Sequence, residues 1–119
     1  PSQSQKLNDL IERLVKYWSE SNNYIFRVSC LSLLERFVGT LDKKLYQPLM
    51  ESIVEKLKKD RVHNVRLNVL RLILTVLPSS DREFREQFVG SLIRELKDDK
   101  DPDVALNLEL VKDKLAAAN

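Results

Sequence analysis

The side chains that could do chemistry in this chain are few and scattered. His63 is the one histidine. No Cys or second His stands at metal-ligand spacing from it, and no Ser or Cys is placed for it to activate. We expect a solvated or partner-facing imidazole there. Cys30 is the one cysteine, so no internal disulfide can form, and such usage fits a reducing compartment. It shares an apolar column with Val69 and Leu108, which points to a small buried hydrophobe rather than a nucleophile. The acidic run Asp98, Asp99, Asp101 and Asp103, counted from Asp99, supplies the first three ligands of a calcium loop. The sixth position is then Val104 instead of Gly and the twelfth is Leu110 instead of Glu, so the loop fails. Carboxylates at a helix start are better explained as caps of exposed N–H groups. Glu83 and Glu86 stand among arginines, with no apolar pocket to raise a pKa. The chain therefore reads as a non-enzyme that needs neither cofactor nor metal.

Composition bounds the rest. The chain has 119 residues, 43% hydrophobic and 32% charged, enough to build a core. Two Gly and four Pro are too few for a turn-rich β fold or a phosphate-cradling loop. Twenty basic and eighteen acidic residues leave a net charge of +2, which argues against binding nucleic acid or membrane by charge alone. No apolar run reaches the length of a membrane span, about 20 residues, and no signal-peptide pattern opens the chain. It opens on Pro1 rather than Met, and we expect it to be a piece of a longer protein.

The elements that position these residues emerge when the sequence is shifted against itself by 39 residues. Leu10, Leu49 and Phe88 then fall in one column, and Ile11, Met50 and Val89 in the next. Trp18 joins Leu57 and Leu96, and Phe26 joins Val65 and Val104, without one insertion. Each repeat carries two apolar sets at helical spacing, separated by a polar turn such as "KDRVHN". The spacing predicts helices over 4–18, 24–38, 43–58, 62–77, 82–97 and 102–116. Gly39, Pro78 with Asp81, and Pro102 stand where helices should stop, be capped or begin. A helix pair of this size cannot bury its apolar face alone, so the pairs must stack. The expected fold is all-α, a short α-solenoid of six antiparallel helices.

The turns carry a family resemblance. "DRVHNVRLNVLRLI" is similar to the inner turn and second helix of a HEAT repeat, and "SNNYIFRVSCLSLLERF" and "DKDPDVALNLELVKDKL" are its counterparts. Taken together, "NYIFR" at 23–27, "NVRLNV" at 64–69 and "DPDV" at 101–104 resemble the C-terminal repeats of the scaffolding A subunit of protein phosphatase 2A. The order and spacing match over nearly the whole chain. Departures are Ala105, where that family has a basic residue, and the polar stretch 97–100. The resemblance implies three stacked HEAT repeats, 1–41, 42–80 and 81–119. It also implies a non-catalytic scaffold that receives a phosphatase catalytic subunit along its turns. Regulatory B-type subunits would be held through a larger parent, in the cytoplasm with the nucleus also open. The docking residues carried over by it are Asn23, Tyr24, Arg27, Asn64 and Arg66.

The residues themselves leave two readings of Arg27 and Arg66 open. Asp60 and Arg66 frame the middle turn six residues apart, Ser21 and Arg27 the first, Asp99 and Ala105 the third. Aligned Asp and Arg columns can pair within and between repeats and fix the stacking angle. Alternatively, the planar guanidinium forks anchor a partner. Trp18 belongs to a packing column, while Tyr24 has the better claim to the surface. Two other classes compete: a HEAT array for tubulin or transport cargo, and a nucleic-acid-binding repeat. Lys58, Lys59 and Arg61 give the first its basic cluster in one turn only, and the acidic "KDDKDPD" breaks any basic stripe. If an upstream repeat has been cut away, the first helix exposes one side of its apolar face, and we then expect some self-association through that end.

Overall fold

The computed structural model describes residues 2–118. The chain is all-helical, with no strand among the described residues. Helices α1 (Gln3–Ser19), α2 (Tyr24–Arg36), α3 (Lys43–Leu57) and α4 (His63–Val76) follow one another across short turns. A 3-10 turn at Leu77–Ser79 closes α4. A π-helical stretch, Phe84–Val89, then runs into α5 (Gly90–Leu96), and α6 (Pro102–Ala118) ends the described chain.

Side-chain oxygens cap most of these starts, as the polar turns suggested. Ser2, Asn23 and Asp42 accept N–H groups from the first turns of α1, α2 and α3. Asp101 Oδ1 accepts from Asp103 and Val104 at 3.0 and 3.1 Å, so the acidic run serves α6 as a cap. Gly39 is the only described residue with positive φ, +80°, where the chain turns from α2 to α3.

Helix ends fall within two residues of the sequence reading, and two departures have a structural counterpart. Helix α2 ends at Arg36 rather than 38, because the chain tightens there before Gly39. The stretch expected as one uniform helix over 82–97 contains the π-helical segment. Its wider turn brings Phe84 and Phe88 nearly into stack, with ring centroids 5.2 Å apart and planes at 18°. Phe84 and Val89 are both buried.

Packing follows the columns. Helix α2 lies against α4 and α4 against α6, while α1 packs on α2 and α3, and α5 on α6. The body is thin, 44 × 35 × 18 Å. Val15, Val54, Val65, Val69 and Val104 are fully buried in one continuous apolar core. Cys30 lies in it too, and burial pushes its thiol pKa up to about 12, so it stays protonated and inert. Trp18 packs at the core margin with its ring centroid 6.2 Å from that of Phe26.

Candidate docking edge

The turns between α1 and α2, α3 and α4, and α5 and α6 are joined by a repeating polar motif. Arg27 donates from Nε to Asp60 Oδ2 at 2.7 Å and from Nη2 to Asp60 Oδ1 at 3.0 Å. Its Nη1 donates to the Ser21 carbonyl at 2.8 Å. One helix pair later, Arg66 repeats the arrangement: Nε and Nη2 meet Asp99 at 2.7 and 3.2 Å, and Nη1 meets the Asp60 carbonyl at 2.8 Å. Each arginine thus closes its own turn and grips the carboxylate of the next. Asp60 is the node, since its carboxylate holds Arg27 while its carbonyl holds Arg66.

The same carboxylates also organise the backbone. Asp60 Oδ1 accepts the Val62 N–H at 2.9 Å, and Asp99 Oδ1 accepts the Asp101 N–H at 3.0 Å. Burial pushes both carboxyl pKa values up, but the arginine forks and these N–H groups outweigh it and hold both below the usual carboxylate range. Bidentate, charge-assisted geometry of this kind fixes angle as well as distance.

The five carried-over residues divide into two groups on this edge. Arg27 is buried, and Arg66 is largely covered, with their forks engaged inside the molecule. Asn23, Tyr24 and Asn64 are exposed at the starts of α2 and α4. Asn23 caps α2 through Ile25, and the Asn64 carbonyl accepts from Asn68 Nδ2 at 2.7 Å. Lys59, Arg61 and His63 are exposed around the middle turn. Lys59, Arg61, Arg66, Asp98 and Asp99 help line a shallow hollow of about 350 Å³ between the second and third turns.

Sequence reasoning placed the Asp and Arg columns on one edge but did not give the direction of the ladder, from each arginine to the following turn. The signal was present: Ser21 has no carboxylate to receive an arginine, and Ala105 has no fork to offer. Lys58 was missed as a link. Its ammonium meets Glu55 at 2.7 Å and Glu95 at 2.6 Å, tying the end of α3 to α5. Burial opposes its charge, and the two carboxylates more than offset this, raising its pKa. No group of three or more His, Cys, Asp or Glu side chains among the described residues is arranged to hold a metal ion. Compared with known proteins, the chain matches no family model, no curated protein sequence and no solved structure.

Proposed function

We propose that this chain is a non-catalytic scaffold element: a solenoid of three HEAT repeats that holds a protein phosphatase 2A-type catalytic subunit along its turn edge. The observation that carries this reading is the Arg27–Asp60 and Arg66–Asp99 ladder, which sets three successive turns in register and leaves Tyr24 and Asn64 exposed along one side. A partner spanning several turns needs their spacing fixed beforehand, because preorganisation lowers the entropic cost of docking. In this reading Arg27 and Arg66 hold the edge, and Asn23, Tyr24 and Asn64 contact the partner. Dephosphorylation belongs to the partner, and B-type regulatory subunits are held by a larger parent scaffold.

The test is a binding titration of a phosphatase 2A-type catalytic subunit against the full chain, Tyr24→Ala and Asn64→Ala. Tyr24→Ala is expected to weaken binding about tenfold, as aromatic hot spots do, with helical circular dichroism unchanged. Absence of binding by the unaltered chain overturns the reading. The alternative, a HEAT-type interaction module for tubulin or transport cargo, then rests on the exposed Lys59 and Arg61.

A further inference from the structure

The forks beneath the turn edge repeat, but the residues on its outer side do not. Four columns of that edge are exposed in every helix pair: 20 with 59 and 98, 22 with 61 and 100, 24 with 63 and 102, and 25 with 64 and 103. The middle pair, which has a neighbour on both sides, exposes them as fully as the outer two. Their exposure therefore belongs to the edge itself and does not depend on what adjoins either end of the stack.

From turn to turn the chemistry of these columns changes. In the first turn Glu20 is held by Lys56 at 3.2 Å, and Tyr24 and Ile25 are 41% and 56% exposed, so this part is apolar without a free charge. In the second turn Lys59 and Arg61 are exposed, and no carboxylate of the described residues pairs with either. The carboxylates around them are engaged elsewhere: Asp60 by Arg27, Asp99 by Arg66 and Glu95 by Lys58. The third turn mixes signs, with Lys97 and Lys100 among Asp98, Asp101 and Asp103. Unbalanced positive charge is thus confined to the middle turn, one step along the stack from an apolar patch.

We propose that this edge takes an extended segment of a partner protein in which an apolar side chain, seated on Tyr24 and Ile25, is accompanied by carboxylates held by Lys59 and Arg61. The proposal rests on the reading of this edge as the docking surface and adds the chemistry of what docks there. Packed helices stand about 8–10 Å apart and an extended chain advances about 3.3 Å per residue, so the carboxylates lie about three residues from the apolar anchor. The hollow of about 350 Å³ beside Lys59 and Arg61 gives them room. Asp98 on its far side repels further carboxylates and bounds the acidic stretch to the middle turn. A nucleic-acid strand fits poorly, because its charge continues at every nucleotide whereas the cations stop at one turn.

Fluorescence anisotropy with labelled peptides on the full chain tests this. The probe has a central Phe with Glu at the third and fourth positions on each side, so either chain direction is read. It is expected to bind with a Kd below about 1 mM at low salt and to weaken at about 1 M salt. The double variant Lys59→Glu with Arg61→Glu alters exposed side chains only and should weaken the probe at least about tenfold. Asp98→Lys should tighten it, a gain that misfolding cannot mimic. A probe carrying Lys for Glu should bind at least about tenfold more weakly, and one carrying Ser for Phe about fivefold. Equal binding of the Glu and Lys probes overturns the proposal, as does indifference to either charge change. Tighter binding of a single-stranded oligonucleotide of about 20 nucleotides overturns it too. A phosphatase 2A-type catalytic subunit titrated against the same double variant separates the two readings. A subunit that binds the double variant and the unaltered chain alike overturns the acidic partner and leaves the scaffold. An acidic probe that binds where the subunit does not bind at all keeps the acidic partner and overturns the phosphatase scaffold.

Discussion

On the turn edge, neighbouring helix pairs are joined by charged forks; on the opposite edge, where α2 leads into α3 and α4 into the fifth helix, they are joined by packing. There Tyr46, Met50, Val76 and Phe84 help line a small cleft of about 120 Å³, and two polar links accompany the packing, Tyr46 Oη donating to the Leu34 carbonyl at 2.7 Å and Thr75 Oγ1 donating to Glu35 Oε1 at 3.0 Å. Fork-to-carboxylate contacts are directional, so they set the turns at a fixed spacing. Apolar contacts have no such direction, and the opposite edge accommodates a 3-10 turn and a π-helical stretch within one connection. A surface meant to be read by a partner gains from the first kind of joint. A connection that only has to exclude water can use the second.

Breaking the node should have the largest effect. Asp60→Ala strands the Arg27 fork in a buried site and leaves the Val62 N–H without its acceptor. We expect a loss of about 4 kcal/mol in urea unfolding, in the range for removing one partner of a buried ion pair. Asp99→Ala should cost less, about 2 kcal/mol, because Arg66 is better able to reach water, its side chain 18% exposed against 8% for Arg27. The double replacement Arg27→Met with Asp60→Leu should cost less than Asp60→Ala, since no charge is left unpaired. If the double variant proves the worse of the two, the ladder stabilises by attraction and not merely by avoiding an orphaned charge.

Acid separates the two edges without mutation. Asp60 and Asp99 have lowered pKa values in the fold, so their contribution is fully present above the unfolded value, about 3.9. It is lost as pH falls through the lower folded values. The melting temperature should therefore fall steeply below about pH 4, and less steeply in Asp60→Asn, which has one such group fewer. Equal slopes in both proteins would remove the first rung from the account of acid stability.

Tyr46→Phe probes the opposite edge. It keeps the ring in its cleft but removes one donor to the Leu34 carbonyl near the end of α2, which still accepts the Phe37 N–H at 3.2 Å. The expected cost is about 1 kcal/mol by denaturant unfolding, the net contribution of one hydrogen bond whose acceptor keeps a second donor. A cost as large as that of Asp60→Ala would mean that both edges depend on polar links.

Much of this was legible because columns such as Val65 with Val104 repeat at a fixed offset, and the polar turns mark where helices begin. Helical periodicity says which face is apolar; it does not say which copy of that face has a neighbour. Hence Phe26 shares a buried column and yet is exposed. The ladder's direction was hidden for a related reason, because a column of Asp beside a column of Arg allows pairing within a turn or across to the next. Ser21 without a carboxylate and Ala105 without a fork favour the second, and the stacking geometry shows it. The π-helical stretch has no local marker, since "REFREQFVG" has ordinary helical spacing and nothing in it announces the near-stacked Phe84 and Phe88 rings.

The smallest expected effect concerns Lys58, and it sharpens the comparison most cleanly. Its two carboxylate partners are more open to water than Asp60, with Glu55 58% and Glu95 31% exposed. Solvent screens such pairs, so Lys58→Met should cost only about 0.5–1 kcal/mol near neutral pH. Its raised pKa means that the contribution holds below the unfolded lysine value, about 10.4, and is lost as pH rises through the folded one. At about 1 M salt the difference between Lys58→Met and the unaltered chain should vanish, because the Debye length is then only about 3 Å. The cost of Asp60→Ala should survive the same salt, since its pair is covered on both sides. A salt-sensitive Asp60 would place the ladder among surface contacts, and a salt-resistant Lys58 would add a third fixed joint between the helix pairs.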